Sequence, residues 1–165
     1  KGVLTEDLDA ELDRLYRDHV EPPRFRRAAA AFADTRNAIR ERINQVFRSA
    51  GIWPKMEKRV RVGEFTYPGD PLLLDYSYRS NGTRGFIHAL SMARDPGLAK
   101  VLSYTAEHIR SKLTRTEFAA VTDTRPLPEN DRHQFVVQTL GEQGIRLVPA
   151  AEIEEFVNRL RPTIH

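Results

Sequence analysis

The sequence predicts an α/β domain with a mixed central sheet of about five strands flanked by helices. Segments that alternate polar and apolar residues, such as 57–65, are interspersed with segments whose apolar residues recur at helical spacing. Asn81-Gly82 lies between two apolar runs, which is the strongest short signal for a β-hairpin. From residue 117 the chain reads strand, helix, strand, helix. Together with the strand before residue 95, this order requires parallel pairing through right-handed crossovers.

The predicted elements follow from local patterns. Turn and cap residues separate them, with Asp95 as the expected N-cap of the helix after the hairpin and Gly51 as the end of the first domain helix. The predicted strands cover 57–65, 72–79, 85–92, 117–122 and 145–149, and the predicted helical regions cover 24–50, 95–113, 132–142 and 151–160. The region 24–50 fits either one bent helix or two short ones.

The chain also predicts an N-terminal helical extension. Leucines recur at helical spacing from Leu4 to Leu15, and two prolines at 22 and 23 end the pattern. We therefore expect residues 1–23 to form a connector helix and residues 24–165 to form a single α/β domain. Because the chain begins at Lys1 and not at a methionine, we expect a further part of the protein to precede it.

Composition excludes several classes of site. The 165 residues include no cysteine, which rules out disulfide frameworks, thiolate zinc sites and cysteine nucleophiles. No apolar run is long enough to cross a bilayer, so we expect no membrane association and a cytoplasmic location. The net charge of +3, with arginine supplying most of the cations, is compatible with nucleic acid as a partner but does not require it.

One acidic residue interrupts the most apolar strand. Asp75 follows three leucines in the second predicted strand, and a two-residue turn that pairs Ser80 with Thr83 would set it opposite His88. Two interpretations remain open for this pair. It is either part of a reactive site or a buried hydrogen bond that only stabilises the sheet.

The order helix, three strands, helix, strand over about residues 36–150 resembles the core of the PD-(D/E)XK, or restriction-endonuclease-like, family, with Asp75 at the position of the family's aspartate. The resemblance implies a nuclease fold in which carboxylates hold Mg²⁺ and a lysine helps to activate water. The family's Glu-x-Lys is missing from the third strand, where His88 and Leu90 stand in its place. We therefore expect a degenerate nuclease fold that is not catalytically active.

The resemblance also implies roles for particular residues. If the domain were active, Asp75, His88 and Lys112 would be the catalytic residues, with Asp75 and Glu41 as ligands of Mg²⁺. Otherwise no cofactor is expected. For contacts with a phosphate backbone the sequence suggests Arg36, Arg40 and Lys58, from arginine- and lysine-rich stretches that are also typical of a solvated helix face. It also suggests Arg84, which the hairpin register sets opposite Arg79.

Two functions are consistent with these features. The first is association with DNA or RNA in a phage, mobile-element or defence context. The alternative is a non-catalytic protein-interaction or regulatory domain of a larger protein, which would bind another protein or the preceding part of the same chain.

Overall fold

A computed structural model of the protein describes residues 25–165, with side chains from residue 35 onward. Thr35–His165 form one compact unit. The predicted connector helix over residues 1–23 lies outside the described residues. No helix in the described part is both long and apolar enough to cross a membrane.

The fold is a mixed α/β sheet flanked by four helices, as the sequence predicts. The helices are α1 (Phe25–Ser49), α2 (Leu98–Lys112), α3 (Asp131–Glu142) and α4 (Ile153–Leu160), and the strands are β1 (Glu57–Arg61), β2 (Leu73–Ser80), β3 (Thr83–Leu90), β4 (Thr116–Thr122) and β5 (Arg146–Pro149).

The five strands follow one another in the sheet in the order β1-β2-β3-β4-β5. β1, β2 and β3 pair antiparallel, whereas β3, β4 and β5 pair parallel. The predicted two-residue turn is confirmed, because Ser80 pairs with Thr83. Asn81 and Gly82 both have positive φ, 47° and 79°, which is the conformation that an Asn-Gly reversal adopts with little strain.

Two apolar layers cover the two faces of this sheet. We call the side packed by α1 and α4 the α1 face, and the side packed by α2 and α3 the α2 face. Tyr76, Tyr78 and Ile87 are buried on the α1 face. Leu74 and Phe86 are buried on the α2 face. Both crossover helices therefore lie on one side of the sheet.

Some boundaries differ from the prediction. The alternation at 57–65 continues past the strand, because β1 ends at Arg61 and a 3₁₀ turn (Val62–Glu64) follows. That turn is held by Thr66, whose hydroxyl donates to Asp70 Oδ2 at 2.6 Å and lies 3.1 Å from Val62 O. Of the two alternatives for the first helical region, the described residues show one helix, Phe25–Ser49.

The predicted cap at Asp95 is wrong. α2 begins at Leu98 with Gly97 at the N-cap position, which makes no side-chain cap hydrogen bond. Asp95 contributes its backbone oxygen instead, which accepts from Leu98 N–H at 3.3 Å. Pro96 and Gly97 form a turn before the helix, so the cap that the sequence suggested falls too early.

Gly85 is required by the packing of one aromatic ring. A Cβ atom added at Gly85 would lie 2.0 Å from Tyr78 Cζ, because the two residues pair directly across β2 and β3. Moving the Tyr78 ring away would cost free energy, because the ring is buried and its hydroxyl donates to Glu117 Oε2 at 3.3 Å. Burial also raises the pKa of Tyr78, with the Glu117 charge as a smaller cause.

We predict that Gly85→Ala lowers the free energy of unfolding by at least about 2 kcal/mol, because the methyl group overpacks a rigid contact. Gly141→Ala is the matched control, since Gly141 lies in α3 with nothing within 4 Å of an added Cβ. That variant should be neutral or slightly stabilising. Urea denaturation measures both. Equal midpoints for the two variants would contradict the packing account.

Candidate functional site around Asp75

Strands β1 and β2 depart from regular geometry at one level of the sheet, marked by Arg59 in β1 and Asp75 in β2. In a regular strand, residues two apart point to the same face. Leu74 nevertheless packs on the α2 face and Tyr76 on the α1 face. The pairing of β1 with β2 is recorded on either side of this level, at Lys58↔Tyr76 and at Val60↔Leu74. Arg59, between those pairs, has φ 55°, in the left-handed region. In both strands, the regular alternation of side chains between the two faces of the sheet is therefore interrupted at this level.

The ladder between β2 and β3 ends next to this level, at Tyr76↔Ile87. Beyond it, side chains replace the backbone pairing. The Ala89 N–H donates to Asp75 Oδ2 at 2.8 Å. The Asp75 N–H is directed at His88 Nδ1, 3.2 Å away. The predicted register thus brings Asp75 and His88 together, but the two side chains occupy the place where the strands stop pairing.

Two arginines of α1 compensate the charge of Asp75. Arg36 Nη2 lies 3.5 Å from Oδ2 and Arg40 Nε lies 3.4 Å from Oδ1. Their spacing of four residues puts both on the same side of the helix. The Asp75 side chain is only 6% exposed, whereas those of Arg36 and Arg40 are 29% and 39% exposed. A buried carboxylate is therefore covered by two partly solvated guanidinium groups.

His88 is buried and neutral at pH 7. Desolvation lowers its pKa from 6.5 to about 4; the Asp75 charge opposes this shift and the two arginine charges add to it. Arg36 Nη2 lies 3.1 Å from His88 Nε2. A guanidinium can only donate, so Nε2 accepts and the single ring proton is on Nδ1. Nδ1 then donates to Asp75 Oδ2, which is 3.1 Å away, in preference to accepting from the Asp75 N–H.

This arrangement fits Mg²⁺ poorly. A hard cation needs several oxygen ligands, and Asp75 is one carboxylate that already pairs with two cations. No group of three or more His, Asp or Glu residues in the described part is placed to hold a metal ion. Among these residues, the network looks like a charge-compensated structural contact and not like a metal centre.

The predicted metal ligand Glu41 and the predicted catalytic residue Lys112 form no ion pair or hydrogen bond with Asp75. Glu41 is exposed on α1, and no ion pair joins it to the cluster. Lys112 ends α2, which packs on the opposite face of the sheet, and its Nζ donates to Glu64 O at 3.3 Å. Asp75 and His88 are thus the two members of the predicted catalytic set that meet.

The four cations predicted for nucleic-acid contact do not form one surface. Arg36 and Arg40 lie at Asp75, and Lys58 Nζ stacks 4.0 Å from the centre of the Trp53 ring, at the edge of the α1 face. Arg84 points to the α2 face. There its guanidinium lies 5.3 Å from the Phe86 ring, and it donates to Glu57 Oε2 at 2.8 Å.

Arg59 belongs to the cation-rich stretch around the first strand but is not among the residues predicted for phosphate contact. It is exposed, lies on the edge strand at the level of Asp75, and forms no side-chain hydrogen bond or ion pair with the described residues. Its left-handed backbone has no sequence signal, since nothing in the alternating run 57–65 marks a residue where the strand changes face.

Comparison with known proteins leaves the family open. No protein-family model matches this chain, and no match was found among curated proteins or solved structures. The resemblance to the restriction-endonuclease-like fold therefore stays a prediction that rests on element order and on Asp75.

We predict that Asp75→Ala lowers the free energy of unfolding by about 2–4 kcal/mol, because it leaves the Ala89 N–H and the His88 ring proton without their acceptor. Glu155→Ala is the matched surface control, since Glu155 forms an exposed ion pair with Arg159 one helical turn away. That change should stay within about 0.5 kcal/mol. If Asp75→Ala melts at the temperature of the parent protein, the structural role assigned to Asp75 is wrong.

The lowered pKa of His88 predicts a pH-dependent stability. Between pH 6.5 and about 4 the unfolded chain binds a proton at this residue and the folded chain does not, so stability falls as the pH falls through that window. The loss should be on the order of 2–3 kcal/mol. Urea titrations at pH 7 and 4.5 should show a smaller change for His88→Gln than for the exposed control His165→Gln. Equal changes would refute the assignment.

Proposed function

We propose that this domain is a non-catalytic, nuclease-like module that binds nucleic acid through cations on the α1 face. The observation that carries the proposal is the pair of arginines, Arg36 and Arg40, that covers one buried carboxylate. Two guanidinium groups against one carboxylate leave a local excess of one positive charge, and Arg59 is a further exposed cation on the edge strand at the same level of the sheet. Such an excess suits a phosphate backbone and disfavours a divalent cation.

The geometry of the arginines supports the same proposal. Arg36 and Arg40 are anchored at Asp75 yet remain about a third exposed, so each guanidinium is oriented by the protein and still accessible to an anion. The buried Nε of Arg36 has no hydrogen-bond partner among the described residues. Guanidinium groups held in place lose less conformational entropy when they bind a phosphate than free side chains do.

Cations at the edge of the sheet extend this surface. Lys58 and Arg48 both lie against Trp53, with the Arg48 Cζ 4.7 Å from the ring centre. Arg61 is a further exposed cation on β1. Lys58 and Arg61 are on the edge strand β1, and Arg48 is on α1, where Trp53 packs at the margin of the α1 face. A backbone track of this kind would bind without strong sequence preference and would weaken with salt.

The incomplete motif argues against catalysis in this proposal. Among the described residues Asp75 belongs to no group of three or more His, Asp or Glu residues that could hold a metal ion, and the neutral His88 is already bound at both ring nitrogens. Mg²⁺-dependent cleavage of DNA or RNA by the purified domain would contradict the non-catalytic part of the proposal, while leaving binding by the arginines in place.

A protein-interaction domain is the second candidate. It is favoured by exposed apolar side chains on and beside α2. Tyr104 is 45% and Tyr67 is 65% exposed, and the His108 ring lies 4.0 Å from Tyr104 and 6.1 Å from Tyr67 between ring centres. Such side chains on the α2 face are typical of contact surfaces between proteins. This candidate gains support if no nucleic acid binds at low salt.

We predict that Arg59→Asn weakens binding to a single- or double-stranded DNA or RNA probe by roughly tenfold at low salt, and that it reduces the slope of log K against log salt by about 1. Asparagine tolerates the left-handed backbone, so the fold should be preserved. Fluorescence anisotropy over a salt series measures both quantities.

Lys100→Gln is the control for this experiment. It removes the same charge from α2, on the opposite face of the sheet, where Lys100 lies against Phe135. Its affinity and salt slope should match those of the parent protein. Equal losses for Arg59→Asn and Lys100→Gln would show that only net charge matters, and no binding of any probe at low salt would overturn the proposal.

A further inference from the structure

The tip of the β2–β3 hairpin borders a second cationic site, apart from the cluster at Asp75. A cavity of about 440 Å³ lies there, with walls formed by the turn residues Asn81 and Gly82, by the segment 113–115 between α2 and β4, and by His165. It is located at the end of the sheet where β3 and β4 begin.

Backbone contacts fix the shape of this cavity. The Arg84 N–H donates to Arg115 O at 3.0 Å, which ties the start of β3 to the segment before β4. Ser80 forms a β-bridge with Ile164, and the His165 N–H donates to Arg79 O at 3.1 Å. These bonds hold the cavity walls together at the turn, so the site is largely preformed.

Three arginines line the cavity, whereas no Asp or Glu does. Arg79 faces Arg84 across the two strands, a like-charge pair that is unfavourable without a nearby anion. Glu57 pairs with Arg84 and removes part of this cost. Arg79 and Arg115 form no ion pair with the described residues, so two guanidinium groups at the cavity remain uncompensated.

We propose that this cavity binds a phosphate monoester dianion through Arg79 and Arg115. Two guanidinium groups match the charge of the dianion, and each can give it two parallel N–H donors. The cavity is larger than a phosphate group and lies in the size range of small-molecule sites. Leu113 and Gly82 line it beside the arginines, which leaves room for the organic group that carries the phosphate.

The same chemistry can come from a free organic phosphate or from the terminal phosphate of a nucleic-acid chain. The inference does not rest on binding at the α1 face, because it uses none of the residues around Asp75. The two proposals therefore fail separately.

Phenyl phosphate is a suitable first probe, titrated by calorimetry and by amide chemical-shift changes. We expect shifts at Gly82 and Arg115, and a roughly tenfold loss of affinity in Arg79→Gln and in Arg115→Gln. Both side chains are exposed, so both variants should fold, and their melting temperatures check this. Arg79→Lys should lose part of the affinity, since lysine keeps the charge but not the two parallel donors.

Arg125→Gln is the matched control, because Arg125 follows β4 at the opposite end of the sheet and pairs with Glu152. It should bind phenyl phosphate like the parent protein, as should Arg59→Asn. A short oligonucleotide with a 5′-phosphate, compared with its 5′-hydroxyl form, distinguishes the two sources. The site is supported if either phosphorylated probe binds in a manner that depends on Arg79 and Arg115. It is overturned if neither binds, or if both arginine variants bind as the parent does.

Discussion

The compensation of one buried carboxylate is the interaction on which this structure depends most. Asp75 joins α1, β2 and β3, because its two oxygens meet Arg36, Arg40, His88 and the Ala89 N–H. An ionised carboxylate with so little exposure would be costly alone, and only pairing together with hydrogen bonds makes it tolerable. The carboxylate is needed because the β2–β3 ladder ends here. The Ala89 N–H has no backbone acceptor on β2 at this point and donates to the Asp75 carboxylate instead.

The same compensation decides what chemistry the site can support. A metal-dependent nuclease needs its carboxylates free to bind a cation, whereas the Asp75 carboxylate is held by two guanidinium groups. His88 does not restore a metal site, because its Nε2 accepts from Arg36 and burial keeps it neutral. What reaches solvent from this cluster is the outer part of two arginines. The cluster therefore presents positive charge outward while its negative charge stays inside.

The features that the sequence predicted correctly are governed by local rules. Asn81-Gly82 determines a tight turn, and that turn alone sets the register that brings Asp75 to His88. The parallel half follows from the order of strands and helices. The pairing of Arg36 with Asp75 could not be predicted, because the residues are 39 positions apart and the sequence holds other arginines that could have paired there. The turn register also pairs Tyr78 with Gly85, but nothing local predicts that the Tyr78 ring lies over the glycine.

The change of face at Arg59 also could not be predicted from the local sequence. It raises the question of why an arginine occupies this position of the edge strand. Charged residues on an edge strand protect it from pairing with another chain, and Lys58 and Arg61 serve that role on their own. Arg59 adds little to such protection, yet its left-handed backbone costs about 1–2 kcal/mol relative to an ordinary strand conformation. Glycine or asparagine would take that conformation more readily. Edge protection therefore does not account for an arginine at this position, whereas the proposed contact with a phosphate backbone would.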